Sequence, residues 1–130
     1  MDGLTLDLSS CELASSCFKA ARCGHLQLSH ANGQGCCLRG VIAASSAWHT
    51  ARLVEADFRS DLDQLTDLSK EDFNNADLSY ALLQRTNLHR ANLLRCCLYG
   101  TSFCEADLRE ADLDGCDLRN SKLEGALLNR

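Results

Sequence analysis

The feature that most restricts what this chain can fold into is a period of five residues. Ala76-Asp77-Leu78-Ser79-Tyr80, Ala91-Asn92-Leu93-Leu94-Arg95, Ala106-Asp107-Leu108-Arg109-Glu110 and Ala111-Asp112-Leu113-Asp114-Gly115 repeat a small residue, Asp or Asn, then Leu, in one register. An α-helix turns about 100° per residue, so Phe73, Leu78, Leu83, Leu88, Leu93 and Leu98 would be scattered around its axis. On a straight strand an odd period sends successive leucines to opposite faces. The pattern is satisfied if the backbone turns a corner once per block. Within a block the small residue and the Leu then both point inward, and stacked coils bury one continuous core.

From Ala56 to Arg130 the block centres are Phe58, Leu68, Phe73, Leu78, Leu83, Leu88, Leu93, Leu98, Phe103, Leu108, Leu113, Leu118, Leu123 and Leu128, interrupted only by Asp63. This pattern resembles the pentapeptide-repeat family, of the Ala-Asp/Asn-Leu-x-x type. The resemblance implies an all-β fold, a right-handed quadrilateral parallel β-helix with four blocks per coil. We read residues 1–130 as a single domain of this kind, with regular repeats over 56–130 and degenerate ones over 1–55. In that first part Gly3, Cys23, Gly33 and Ala43 share the central slot with Leu8, Leu13, Phe18, Leu28, Leu38, Trp48 and Leu53. A competing reading makes Ser9-Ser10-Cys11-Glu12 a capping box, opening a short N-terminal helix that runs to Arg22 as a cap.

The block Asp61-Leu62-Asp63-Gln64-Leu65 would put two carboxylates into core slots, at several kcal/mol if unpaired. It is therefore expected to leave the wall as a bulge or loop. A degenerate turn between two halves is the plainer reading. In the quinolone-resistance branch of the family projecting loops matter for function, so Asp61, Asp63 and Gln64 become candidate interaction residues.

With four blocks per coil, residues twenty apart stack. Arg85 then lies under Glu105 and Arg90 between Lys70 and Glu110, as cross-coil ion pairs. A second column holds Lys19, Arg39, Arg59, Ser79, Tyr99 and Arg119, a mildly basic edge that adds Arg39, Arg59, Tyr99 and Arg119 to the candidates. Asp57 and Asp77 stack as like charges, tolerable if each carboxylate accepts backbone N–H bonds at its corner.

Nine cysteines is a high and odd number, but Cys11, Cys36, Cys96 and Cys116 fall in the small inward slot, where a thiol serves as a small hydrophobe. Cys96 and Cys116 stack within the Cα reach of a disulfide, which the fold does not require. No C-x-x-C occurs, and the vicinal pairs Cys36-Cys37 and Cys96-Cys97 diverge on a strand, so no metal site is expected. His25, His30, His49 and His89 fall at outward positions and none belongs to a catalytic constellation. We expect no enzyme activity and no cofactor.

The net charge of −5 argues against direct nucleic-acid binding, which needs clustered Lys and Arg. No apolar run approaches membrane-span length, and the start lacks the signature of a signal peptide, so a cytoplasmic protein is expected. Two functional classes remain. One is a non-catalytic protein–protein interaction scaffold with a partner of unknown identity. The other, implied by the resemblance, is a DNA mimic that binds DNA gyrase or topoisomerase, although Arg85, Arg90, Arg95, Arg109 and Arg119 interrupt any continuous negative track. The blocks run to the last residues, so an end-to-end homodimer through Leu123, Leu127 and Leu128 is a further expectation.

Overall fold

A computed structural model of the chain describes residues 5–23 and 25–128. Its chain climbs as a parallel β-helix. Strand β1 (Thr5–Asp7) pairs with β3 (His25–Gln27), and β2 (Arg22–Cys23) with β4 (Ile42–Ala43), each in parallel. Elsewhere each side of the coil is a single bridge, such as Glu12 with Asn32, Asn32 with Arg52, and Asp77 with Cys97. Short sides follow from the sequence: a five-residue block leaves only its first three residues extended, and the last two make the corner.

The corners repeat one hydrogen bond. The N–H of the small residue donates to the carbonyl of the Leu three residues earlier, as in Ala81 to Leu78 (3.0 Å) and Ala91 to Leu88 (3.0 Å). The residue before the small one has positive φ, the requirement of a type II turn. Glycine fills that place at Gly35, Gly40, Gly100, Gly115 and Gly125, but elsewhere it holds side chains, among them Tyr80, Arg85 and Thr50. Thr50, β-branched at φ 58°, is the least comfortable of these. Thr50→Gly is accordingly expected to stabilise the chain by about 1 kcal/mol, read as a higher urea midpoint at unchanged slope. An unchanged or lower midpoint would show that this corner carries no strain.

Bridges run twenty residues apart up to Cys37–Asp57, twenty-five apart from Ile42–Asp67 to Asp57–Leu82, and twenty apart again from Asp67–Asn87 onward. Four sides therefore make a coil, and one coil contains an extra block, residues 61–65. Sequence position alone misplaces two columns for this reason. Asp77 stacks on Arg52 and Asp57 on Leu82, so the two aspartates do not face each other. Likewise Lys19, Arg39 and Arg59 continue into Gln84, while Ser79, Tyr99 and Arg119 belong to a neighbouring column that runs up through Gln34 and Val54. The helical reading of 9–22 also fails: Ser10, Ser15 and Ala20 have positive φ, Glu12 bridges Asn32, and no helix occurs among the described residues.

The interior is filled. Trp48, Phe58, Phe73, Phe103 and the block-centre leucines from Leu68 to Leu98 are buried, with Ala31, Ala51, Ala76 and Ala91 between coils. At the central position Gly33, an added Cβ would lie 3.0 Å from Leu53 and 3.2 Å from Cys36, so neighbours already occupy the space a larger residue would take. Apolar voids of about 30 and 10 Å³ remain near the first coils, no more than water-sized.

One buried group does not belong to this pattern. Glu71 occupies a small inward slot and is 1% exposed. Its carboxylate accepts the Ser46 backbone N–H (3.1 and 3.2 Å), and the Ser46 hydroxyl in turn accepts the Leu26 N–H (3.1 Å). Burial pushes the Glu71 pKa up to about 7 against the opposing pull of those bonds.

Candidate interaction surface

The extra block is a seated loop. Asp61 N–H donates to the Gln64 carbonyl (2.8 Å) and closes it. Its neck is stitched by two hydroxyls: Ser60 Oγ accepts the Thr66 N–H (2.9 Å) and donates to the Arg85 carbonyl (2.7 Å), while Thr66 Oγ1 accepts the Gly40 N–H (2.7 Å) and donates to the Arg59 carbonyl (3.1 Å). Gly40, at φ +70°, also makes room for the loop, since an added Cβ would lie 2.7 Å from the Gln64 side chain.

Charge holds the loop down as well. The Asp61 carboxylate, which core burial would penalise, turns back to accept a hydrogen bond from Arg39, and Lys19 Nζ lies 3.8 Å away. With those groups turned inward, the tip presents Leu62, 95% exposed, beside exposed Asp63 and Leu65. Arg85 and Ser60 complete an open hollow under the loop.

The other expected site residues divide between two places. Arg59 sits near the loop but is held by Asp57, with its Nε 2.9 Å and its Nη2 2.8 Å from the two carboxylate oxygens. Tyr99 and Arg119 lie on the neighbouring column. There Tyr80 and Tyr99 meet edge to face at 5.6 Å, the Arg119 guanidinium lies 5.6 Å from the Tyr99 ring centre, and Asn120 donates to the Tyr99 hydroxyl (2.6 Å). The structure thus brings Asp61, Asp63, Gln64 and Arg39 together and keeps Tyr99 and Arg119 apart from them. Of the leucines expected at a dimer end, Leu127 and Leu128 are half exposed, whereas Leu123 packs against the core.

The five-residue pattern does not mark Leu62, Lys19 or Tyr80 as site residues. Leu62 carried a usable signal: once its block leaves the wall, the leucine between two aspartates has no core to enter. Lys19 falls on the basic edge, but no spacing in the sequence places it opposite Asp61.

The aspartates of the wall are engaged locally. Asp67, Asp72, Asp77, Asp107, Asp112 and Asp117 each accept the N–H of the residue two positions on. Where that residue is Arg, a forked pair forms, and hydrogen bonds from Arg109 and Arg119 hold the carboxyls of Asp107 and Asp117 down to about 2. Arg90 pairs with Glu110 (2.7 Å) and Arg85 with Glu105 (3.5 Å), the cross-coil partners that the stacking predicts. No helix of the described residues is long and apolar enough to cross a membrane.

The family model for pentapeptide repeats matches residues 72–109 and 98–130, in eight copies. No curated protein matches the sequence. Among solved structures, HetL, a pentapeptide repeat protein involved in heterocyst differentiation regulation from the cyanobacterium Nostoc sp. strain PCC 7120, is 28% identical with a TM-score of 0.52, over 97% of this chain and 68% of HetL. Rfr23, a pentapeptide repeat protein from the cyanobacterium Cyanothece 51142, is 29% identical with a TM-score of 0.42, over 83% of this chain and 60% of its own. Full-length QnrB1, a plasmid-mediated fluoroquinolone resistance protein, is 16% identical with a TM-score of 0.42, over 99% of this chain and 86% of its own. This chain is therefore similar to proteins that are longer than itself, and the likeness implies a right-handed winding. The five-residue repeat, the four-sided coil and the family match agree in one respect: residues 72–130 are pentapeptide repeats.

Proposed function

We propose that the protein is a non-catalytic interaction scaffold that engages a protein partner through the 61–65 loop. One observation carries this reading: a loop fixed at its neck by Ser60 and Thr66 and at its base by Arg39 holds a leucine almost wholly in solvent. A seated loop loses little conformational freedom on binding, which is how preorganisation favours association. Burying Leu62 in a partner's pocket would contribute about 1.5–3 kcal/mol.

The gyrase-binding reading requires a continuous acidic track. Against it, the guanidiniums of Arg39, Arg59, Arg90, Arg109 and Arg119 each sit on a carboxylate, so the charge alternates along the coils. The scaffold is accordingly the reading favoured.

Leu62→Asp tests it. Its thermal midpoint should match that of the parent, because exposed substitutions usually stay within about 0.5 kcal/mol. Capture of the partner that the parent retains from lysate should fall by about tenfold or more, as expected for a lost central anchor. Equal capture by the two chains would remove the loop from the binding surface. Dose-dependent inhibition of DNA supercoiling by gyrase, equal for both, would replace the scaffold with the mimic.

A further inference from the structure

Cys17 and Cys37 are bridge partners on adjacent coils, at the outward position of their blocks. Parallel neighbours on a wall lie about 4.8 Å apart, inside the Cα range a disulfide spans. Two backbone bonds fix the register, Phe18 N–H to the Cys37 carbonyl (2.7 Å) and Cys37 N–H to the Ser16 carbonyl (2.8 Å). Both thiols are free, and the bridge sets their two residues side by side on the wall. Lys19, Arg39 and Arg59 stand two residues beyond Cys17, Cys37 and Asp57, with Lys19 and Arg39 turned to Asp61 and Arg59 to Asp57.

The other cysteines differ from this pair. Cys96 and Cys116 also stack, but they point inward, and each gives its S–H to a carbonyl of the coil below, Phe73 (2.9 Å) and Leu93 (2.8 Å). Cys97 lies against the Ser79 hydroxyl (2.9 Å), and Cys104 contacts Glu124. Among the described residues only Cys17 and Cys37 are stacked thiols that share a solvent-facing position.

We propose that Cys17 and Cys37 form a redox-active dithiol, oxidised by low-molecular-weight disulfides to a bond that ties the first coil to the second. Cys17 is the exposed thiol and Cys37 the partly buried one. The more exposed Cys17 is the one an incoming disulfide reaches, so it makes the first attack, while burial raises the Cys37 thiol. The Cys17 thiolate attacks one sulfur of the disulfide RSSR and forms Cys17–S–S–R with release of RS⁻. Cys37, giving its proton to solvent, then attacks the Cys17 sulfur and expels the second RS⁻. Two electrons pass from the protein thiols to RSSR, which leaves as two RSH. The first coil is also the place where such a bond matters, since Leu8, Leu13 and Phe18 are only partly covered there.

The test uses the full chain, freed of reductant and exposed to oxidised glutathione, followed by alkylation and peptide mapping. A Cys17–Cys37 cross-linked peptide is expected, with two of the nine cysteines protected from alkylation and a thermal midpoint that rises and falls back on reduction. Cys37→Ser should accumulate a stable glutathione adduct on Cys17, and Cys17→Ser should react about tenfold more slowly. Both replace outward-facing thiols by hydroxyls, so the coil is retained. Alkylation of Cys17 and Cys37 after oxidation, or cross-links spread over other cysteines, would overturn the proposal. So would a Cys37→Ser chain that carries no adduct.

Discussion

Phe73→Ala is expected to remove about 3–5 kcal/mol of stability, the usual loss for deleting a buried phenyl ring. Phe73 is fully buried where the coil with the extra block meets the next one. It stacks on Trp48 at 5.2 Å and 24° and meets Phe58 edge to face at 6.3 Å and 87°, while Trp48 and Phe58 close the triangle at 5.8 Å. Solenoid stability is a sum of coil terms and nearest-neighbour contacts, so the loss falls on one junction. The N-terminal coils, with Leu8, Leu13 and Phe18 only partly buried, then melt before the C-terminal ones. Trp48, the only tryptophan, reports on that side. In the parent, its fluorescence and the far-ultraviolet signal should unfold together; in Phe73→Ala the fluorescence should move first. Phe73→Leu, which places there the residue found one coil above at Leu93, should cost less than about 1.5 kcal/mol. Coincident transitions with a loss below about 1 kcal/mol in Phe73→Ala would mean that the aromatic triangle does not couple the two halves.

The period of five made the wall legible, because every block repeats the same choice of inward and outward residue. Asp61 and Asp63 likewise announced the loop, since two carboxylates cannot enter a dry core unpaired. What the pattern does not contain is the consequence of that loop for everything stacked across it. A column counted in twenties from Asp57 reaches Asp77, whereas the chain, having diverted 61–65, places Leu82 there. Columns on one side of the insertion, such as Arg90 with Glu110, are unaffected. Glu71 is illegible for a different reason: its block has a regular centre in Phe73, and the departure lies in the small slot. The same reasoning that expelled Asp61 applies to Glu71, but the outcome differs because Ser46 N–H is there to meet its carboxylate.

Glu71 should make the chain less stable above neutral pH than at pH 5. Unfolded, its carboxyl titrates near 4.5; folded, burial holds the proton until about pH 7. The folded chain therefore binds the extra proton between those values, and by linkage its stability is greatest below about 4.5 and falls as pH rises through 7. A shift of that size corresponds to about 3 kcal/mol. No cation offsets it: Glu71 makes no ion pair among the described residues, Asp67 adds to the shift, and the Trp48 indole N–H faces the same carboxylate without closing an ordinary hydrogen bond. Asp107 and Asp117 act on the opposite limb. Their pKa values, held down to about 2, mean that the stability they contribute is present above 3.8 and lost as pH falls toward 2. Glu71→Gln separates the two limbs, because the amide oxygen can still accept the Ser46 N–H while carrying no proton to lose. At pH 5 the variant should match the parent within about 1 kcal/mol, and at pH 9 it should exceed it by about 3 kcal/mol. Trp48 emission should titrate near pH 7 in the parent and stay flat in the variant. A stability difference that is the same at pH 5 and pH 9 would place the Glu71 proton elsewhere, and the Ser46 bonds would then be holding an ordinary carboxylate.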